Sequence, residues 1–462
     1  MAGKAAGLLS LFAVVLVMNA CNRGSNESAR DPWEGADSIM ALIEAPVFPD
    51  RDFMITDYGA RKGIDFDCSE AFAAAINACN EAGGGRVVVP GGKFRTGPIH
   101  LKSNVNLHLA DSAEVLFSTD PDDYLPVVYT RFEGVEIMNY SPLIYAYDQE
   151  NIAITGKGIL NGQADRSHWW PWKGPRGVME GTQRPAVDRM RMLAKNGIPV
   201  EERIFGKGSY LRPNFIQPYA CRNVLIQDVT IRNSPMWVMN PVLCENVTIR
   251  GVKVISHGPN SDGCDPESSR NVLIEDCYFD TGDDCIAIKS GRDHDGRRIN
   301  RPSENILIRN CVMKDGHGGV VIGSEISGSV RNVFAENCRM NSPNLDRALR
   351  IKSNSYRGGM VENVFLRNIE VGEVSGAAIR INMFYASQRG KHFSTVRNVL
   401  VQNMVCKKAG YAIRIQGEPE HPVQQIKIEN SSFEKVENKN VLEGVEEISL
   451  IDVSINGEGS SL

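Results

Sequence analysis

The chain lacks several features that would each point to a class of protein. It has no excess of charge of one sign: 51 Lys and Arg stand against 56 Asp and Glu, a net charge of −5. That balance gives no reason to expect nucleic acid, although a local basic patch for an acidic polysaccharide is compatible with it. The apolar stretch Ala5–Met18 is too short to span a bilayer as a helix, which takes about 20 residues. Eight His and eleven Cys show no metal-ligand spacing and no calcium loop is evident, so no metal and no other cofactor is implied. What is present, 42% hydrophobic and 23% charged residues, is ordinary for a soluble globular protein. Length alone, 462 residues, would suggest about three domains, a prior that repeat architectures break.

The first residues read as a targeting segment. Lys4 precedes the apolar stretch, and Asn19-Ala20-Cys21 follows it. A Cys directly after a small residue resembles a bacterial lipoprotein signal, with Met18 standing where Leu is commonest. The expectation is a signal peptide over residues 1–20, lipidation at Cys21, and an exported protein anchored to a membrane at the periplasmic or cell-surface side. Residues 21–50, rich in Asn, Ser, Asp and Pro, read as a tether, and 51–462 as one domain.

That domain is a repeat. The pattern Asn-apolar-x-apolar recurs at Asn223-Val-Leu-Ile, Asn246-Val-Thr-Ile, Asn271-Val-Leu-Ile, Asn305-Ile-Leu-Ile, Asn332-Val-Phe-Ala, Asn363-Val-Phe-Leu and Asn398-Val-Leu-Val, at intervals of 23 to 35 residues. Each copy alternates with a period of two and is a short strand. A second strand precedes most copies, as in Cys285-Ile-Ala-Ile, Val320-Val-Ile-Gly and Ala348-Leu-Arg-Ile. No helical pattern of useful length separates them. The economical architecture is a parallel β-helix whose coils stack at about 4.8 Å, with elastic loops between fixed strands. The repeated Asn suits the turns. Cys277, Cys311 and Cys338 recur at one position in successive coils, so reduced cysteines in a stacked core are expected; the pairing of Cys68 and Cys79 stays open. Asp67 and Glu70 suggest a capping box for a helix through Phe72, Ile76 and Cys79 that plugs the N-terminal end.

Polar residues gather where the second strands begin. Asn260-Ser-Asp262-Gly, Gly282-Asp283-Asp284, Gly316-His317-Gly-Gly and Arg350-Ile-Lys352 fall in four successive coils. Asp262 and Asp283 are 21 residues apart, one compact coil, and are expected to stack. The result is a groove with three carboxylates, an imidazole and two cations. Splitting a glycosidic bond needs one carboxylic acid to protonate the leaving oxygen and another to activate water. Crowding three carboxylates raises the pKa of at least one. A cation pair would bind a substrate carboxylate. Isolated Asp at coil turns, such as Asp228 and Asp276, read as turn formers, and His257 as a loop residue.

These four blocks resemble the signature of the polygalacturonases, glycoside hydrolase family 28: Asn-Thr-Asp, Asp-Asp, Gly-His-Gly and Arg-Ile-Lys, with Ser261 in place of the Thr. The resemblance runs from about Thr56 past Asn398. It implies an all-β, single-domain, right-handed parallel β-helix, and an inverting hydrolase acting on pectin. It further implies Asp283 as general acid and Asp262 with Asp284 holding the water, with carboxylate separations wide enough for it. His317 would keep the acid's proton in place, Asn260 would orient Asp262 or the substrate, and Arg350 with Lys352 would take a galacturonate carboxylate. Arg380 is expected to extend the basic floor and Tyr385 to stack on a sugar.

The insertion from Asp165 to Arg212, with Trp169, Trp170, Trp172, Arg184, Arg189 and Arg191, and the loop Gly291–Glu304 suggest walls at one end of the groove, which go with exo attack. The expected partner is an acidic plant polysaccharide, homogalacturonan or rhamnogalacturonan, bound by a monomer. A pectate lyase would need Ca²⁺ and leave an unsaturated product; a non-catalytic binding β-helix would leave the acid cluster without use.

Overall fold

The computed structural model describes residues 31–460 other than Arg176. The signal peptide expected over residues 1–20 and the expected lipidation site Cys21 lie outside the described residues. The chain winds into a right-handed parallel β-helix with three strands per coil. One stack of strands runs through Arg222–Gln227, Glu245–Arg250, Arg270–Glu275, Ser303–Arg309 and Val330–Glu336. A second, of short strands, includes Thr230–Arg232, Lys253–Ser256 and Tyr278–Thr281. The third includes Ile216–Tyr219, Ile286–Ile288, Val320–Gly323 and Arg347–Lys352.

Register accounts for the repeat. In the first stack Val224, Val247, Val272, Ile306, Val333, Val364 and Val399 are successive partners, all buried. Their alternates point outward, as strand geometry dictates. The Asn before each of them has φ between 54° and 60°, the left-handed region that Asn tolerates better than most side chains. In all of these but Asn271 the amide also bonds to the Asn of the preceding coil: Asn223 donates to Asn151 at 2.9 Å, Asn246 to Asn223 at 2.7 Å and Asn332 to Asn305 at 3.0 Å. The Asn is thus both a bend former and a rung of an amide ladder. Asp228 and Asp276 take φ of 63° and 55°, as turn formers do.

All ten cysteines among the described residues are free and buried, Cys68 and Cys79 included. Cys277, Cys311 and Cys338 stack, and their thiols lie within 3.2–3.4 Å of the carbonyls of Glu275, Arg309 and Glu336.

Helix α1 (Trp33–Met40) corrects the tether expected over residues 21–50. Trp33 and Ile39 pack on an outward ladder of the first stack, Leu273, Leu307, Phe334, Phe365 and Leu400. Trp33 donates to Gln402 at 3.0 Å and lies under the Arg367 guanidinium. Composition hid this because the outer apolar stripe that receives the helix is assembled only by stacking; each such side chain is worth about 1.5–3 kcal/mol when buried. Helix α2 (Ser69–Glu81) plugs the N-terminal end with Phe72, Ala75, Ile76 and Cys79. Its capping differs from the box expected: Cys68 is the cap residue and makes no side-chain cap bond, and Asp67 instead accepts from Ser69 N and Oγ at 3.0 and 2.6 Å.

Three insertions rise beside the third stack. They are an antiparallel hairpin, Val128–Phe132 with Val135–Asn139, helix α3 (Arg184–Lys195) and helix α4 (Asp293–Ile299). The loop 291–304 therefore carries a short helix. Phe132, Ile137, Val187, Met190, Phe205 and Trp237 form a small core of their own that fixes the hairpin and α3 to the coil.

A thiol reagent should find none of the ten buried cysteines in the folded protein and all ten in denaturant, with no reductant required. A requirement for reductant would mean a disulfide.

Candidate active site

The site lies on the outer face of the third stack. Cys264 pairs with Ile286, Ile286 with Val320 and Val320 with Leu349, so Asp284 rather than Asp283 is level with Asp262, and Asp283 stands beside them. Oxygens of the three carboxylates lie within 4.8 Å of one another. This is the spacing of single oxygens, closer than the roughly 6.5–9.5 Å between the carboxyl groups of inverting pairs. Two hydrogen bonds of about 2.8 Å still span it through one water.

Each acid has a different neighbourhood. Asp284 is fully buried and takes Arg350 on one oxygen at 3.2 Å and Lys352 on the other at 2.5 Å. Asp283 accepts from Asp284 N at 3.0 Å and meets His317 Nδ1 at 2.9 Å. The His317 amide bonds the Asp283 carbonyl at 3.0 Å, which pins the two coils together at this point. Asp262 has Lys289 Nζ at 3.5 Å, and its buried Oδ1 has no hydrogen-bond partner among the described residues. Gly318 is required here: a Cβ would stand 2.5 Å from Val321, 3.4 Å from Asp284 Oδ1 and 3.5 Å from the Arg350 stem.

The protonation pattern follows. Burial, then the charge of Asp283, pushes Asp262 up to about 7 against the pull of Lys289. Burial presses Asp283 the same way, but the His317 hydrogen bond and charge, with Lys352 and Lys289, outweigh it and hold Asp283 below the ordinary carboxylate range. The same hydrogen bond raises His317. The carboxylate with raised proton affinity is therefore Asp262, whereas the proton beside Asp283 is shared with His317.

Of the other expected residues, Asn260 lines the pocket and its Oδ1 accepts from the buried Arg212 at 2.8 Å. Tyr385 lines it too, half-buried, and its ring carries Arg350 and Lys352 at 5.6 and 5.3 Å. Arg380 stands one coil beyond Arg350, outside the pocket, and donates to the carbonyls of Ile381 and Arg414 and to Gln416. Trp169, Trp170 and Trp172 pack against the coil: Trp169 is buried against Tyr124 and Trp172, and Trp170 donates to the Ser234 carbonyl.

Sequence reading missed several members. Lys289, Trp237, Glu325, Arg357, Glu133, Lys173, Arg191 and Arg292 complete a cavity of about 250 Å³. Lys289 was findable, since it holds the register place of Lys352 two coils earlier. Glu133 and Arg191 come from insertions that no repeat pattern describes. Among the described residues two groups have the donors for a metal, the three aspartates and His257 with Asp280 and Asp315. Cations already serve both: Arg350, Lys352 and Lys289 the first, and Lys314, 3.5 Å from Asp280, the second.

Because Asp262 binds its proton more tightly folded (about 7) than unfolded (about 3.9), its contribution to stability is complete below pH 4 and is lost as pH rises through 7. Asp262→Asn should therefore raise the melting temperature by a few degrees at pH 8 and change it little at pH 4. Equal shifts at both pH values would refute the burial argument.

Comparison with known proteins agrees with the geometry. The profile of glycosyl hydrolases family 28 matches residues 206–449, the span that holds all four motif blocks. The crystal structure of a hyperthermoactive exopolygalacturonase from Thermotoga maritima is 49% identical, with a TM-score of 0.89 over 92% of this chain and 96% of that one. An exo-poly-alpha-D-galacturonosidase of Dickeya chrysanthemi is 30% identical over 379 residues, 76% of this chain and 62% of its own length. A family 28 exopolygalacturonase of Yersinia enterocolitica, 22% identical with a TM-score of 0.73 over 89% of this chain and 76% of its own, shares the fold. A β-helix with these acids in this register, matched by the family profile over more than half its length, belongs to glycosyl hydrolase family 28.

Proposed function

We propose that the protein hydrolyses galacturonosyl linkages of pectic galacturonan from chain ends, with inversion. The observation that carries this reading is the one-sided pocket. Asp262 and Asp283 form its floor beside Lys352, while the hairpin, α3 and the segment before α4 wall it with Glu133, Arg191 and Arg292. At about 250 Å³ it is smaller than the roughly 300–1,000 Å³ clefts that take drug-sized ligands, and it suits one sugar rather than a passing chain. On the other side the sheet continues to Arg380 and Arg414, in register with Arg350. A polyanion leaving the pocket would run along this row. Arg380 is a cation crowded by Arg414, Arg347 and Arg350, and burial with that crowding lowers it to about 10; a substrate carboxylate relieves the repulsion.

In the reaction, the bond between the anomeric carbon and the glycosidic oxygen breaks as a water oxygen attacks that carbon from the opposite face. Asp262 and Asp284 hold the water, and Asp262 takes its proton. The glycosidic oxygen receives the proton shared by Asp283 and His317. That proton rests toward His317 before substrate binds, and expulsion of water around Asp283 by the sugar favours its transfer to the carboxylate. Arg350 and Lys352 hold the Asp284 carboxylate in place throughout.

Incubation with polygalacturonate and chelator should release saturated galacturonic acid with little early loss of viscosity. Asp283→Asn should lower the rate by roughly 10²–10⁴, the usual worth of a general acid. Release from rhamnogalacturonan alone would change the substrate, and no release from either would return the reading to a binding protein. Arg380→Ala should raise KM for the polymer several-fold at unchanged kcat, the signature of lost uniform binding; an unchanged KM removes Arg380 from the substrate path.

A further inference from the structure

Lys289 has no part in the steps above, yet it lies directly behind them. It is 2% exposed, and its ammonium meets Asp262 at 3.5 Å, Asp265 at 3.3 Å, Glu325 at 3.5 Å and the Gly323 carbonyl at 3.4 Å. The Trp237 ring covers it at 4.5 Å. Glu267, its register partner, is the fourth nearby acid. A buried ammonium is costly unless its charge is matched, so the question is which of the four acids matches it.

Two are already claimed. Glu325 has Arg292 at 3.6 Å and Arg357 at 3.7 Å, and Glu267 has Arg131 at 3.1 Å. Burial raises Glu325, but Lys289, Arg292 and Arg357 together hold it ionised. Asp262 and Asp265 have no other ion-pair partner among the described residues. One ammonium therefore serves two buried carboxylates, and like charges so placed retain one proton between them. Asp265 is fully buried, and neither of its oxygens has a hydrogen-bond partner among the described residues, whereas Asp262 faces the pocket. Burial and the charge of Asp262 push Asp265 far above the carboxylate range. The remaining charges in reach are Asp283, Asp284 and Lys352 of the cluster described above and the buried guanidinium of Arg212, which donates to Asn260.

We propose that Lys289 is a positioning residue of the hydrolysis: from behind the cluster it holds Asp262 as the carboxylate that accepts the water's proton, while Asp265 keeps the one proton the two acids cannot both lose. The inference rests on the role given to Asp262 above. Trp237 shields the ammonium, so no solvent ion replaces it.

The test is the pH profile of kcat/KM for galacturonate release. Lys289→Met should move the acid limb to higher pH by about 1–2 units, the effect of losing an opposite charge within ~4–6 Å, with activity largely recovered at alkaline pH; Lys289→Arg should keep the limb in place. A loss that is uniform across pH, with the limb unmoved, overturns the proposal, because a merely structural lysine would act that way. If Lys289→Met does not fold by circular dichroism, Asp265→Asn decides. An unmoved limb at near-normal rate supports a neutral Asp265. A limb moved down by a unit or more overturns it, as does loss of activity at every pH. Failure of the wild type to release galacturonate would instead count against the function itself.

Discussion

The structure depends on the in-register stacking of parallel coils. Every coil repeats the last at about 4.8 Å, so a residue's neighbours are the residues at the same place in the coils on either side. Inward alternates such as Ile286, Val320, Leu349 and Ile379 make a continuous apolar column. Outward alternates make ladders whose chemistry can change from rung to rung. The amide ladder at Asn223, Asn246 and their successors, and the apolar stripe under α1, are two of these. The candidate active site is a third, assembled from single residues that four coils place within hydrogen-bond reach.

Stacking like charges is unfavourable in itself, and the site shows how the fold carries it. Each acid of the cluster has its own cation: Arg350 and Lys352 serve Asp284, His317 serves Asp283 and Lys289 serves Asp262. The partners differ in burial and in number of contacts, and this spreads the proton affinities. Asp283, with His317 against it, is pulled down, and Asp262, with a shared and more distant ammonium, stays high. The different proton affinities therefore arise from burial and neighbours rather than from the carboxylates, which are chemically identical.

The coil alone would leave this ladder as an open groove. Closure comes from the hairpin at 128–139, from α3 and from the segment leading into α4, tied down by their own apolar core and by ion pairs such as Arg203 with Asp295 and Arg292 with Glu133. These insertions stand on one side of the acids only. The row from Arg350 through Arg380 to Arg414 stays outside them, and the asymmetry turns a groove for a chain into a pocket at its end.

The repeat, the capping helix and the four motif blocks were legible because each rests on local pattern: a period of two, an Asn that accepts a left-handed bend, a residue type recurring at fixed places. Asp262, Asp283, Asp284, His317, Arg350 and Lys352 could be placed together on that basis alone. The errors lie where distance along the chain is great or register must be known to one residue. Asp262 is level with Asp284, not Asp283, because the coil between them is 22 residues long rather than 21. The supposed tether packs its Trp33 on a stripe contributed by residues 273 to 400. Sequence by itself determined the β-helix and the chemical set at the site, since strand alternation and residue type are local properties. Only the tertiary structure decided which carboxylate holds a proton, which cation belongs to which acid and which end of the groove is shut, because each depends on burial and on contacts between segments far apart in the chain.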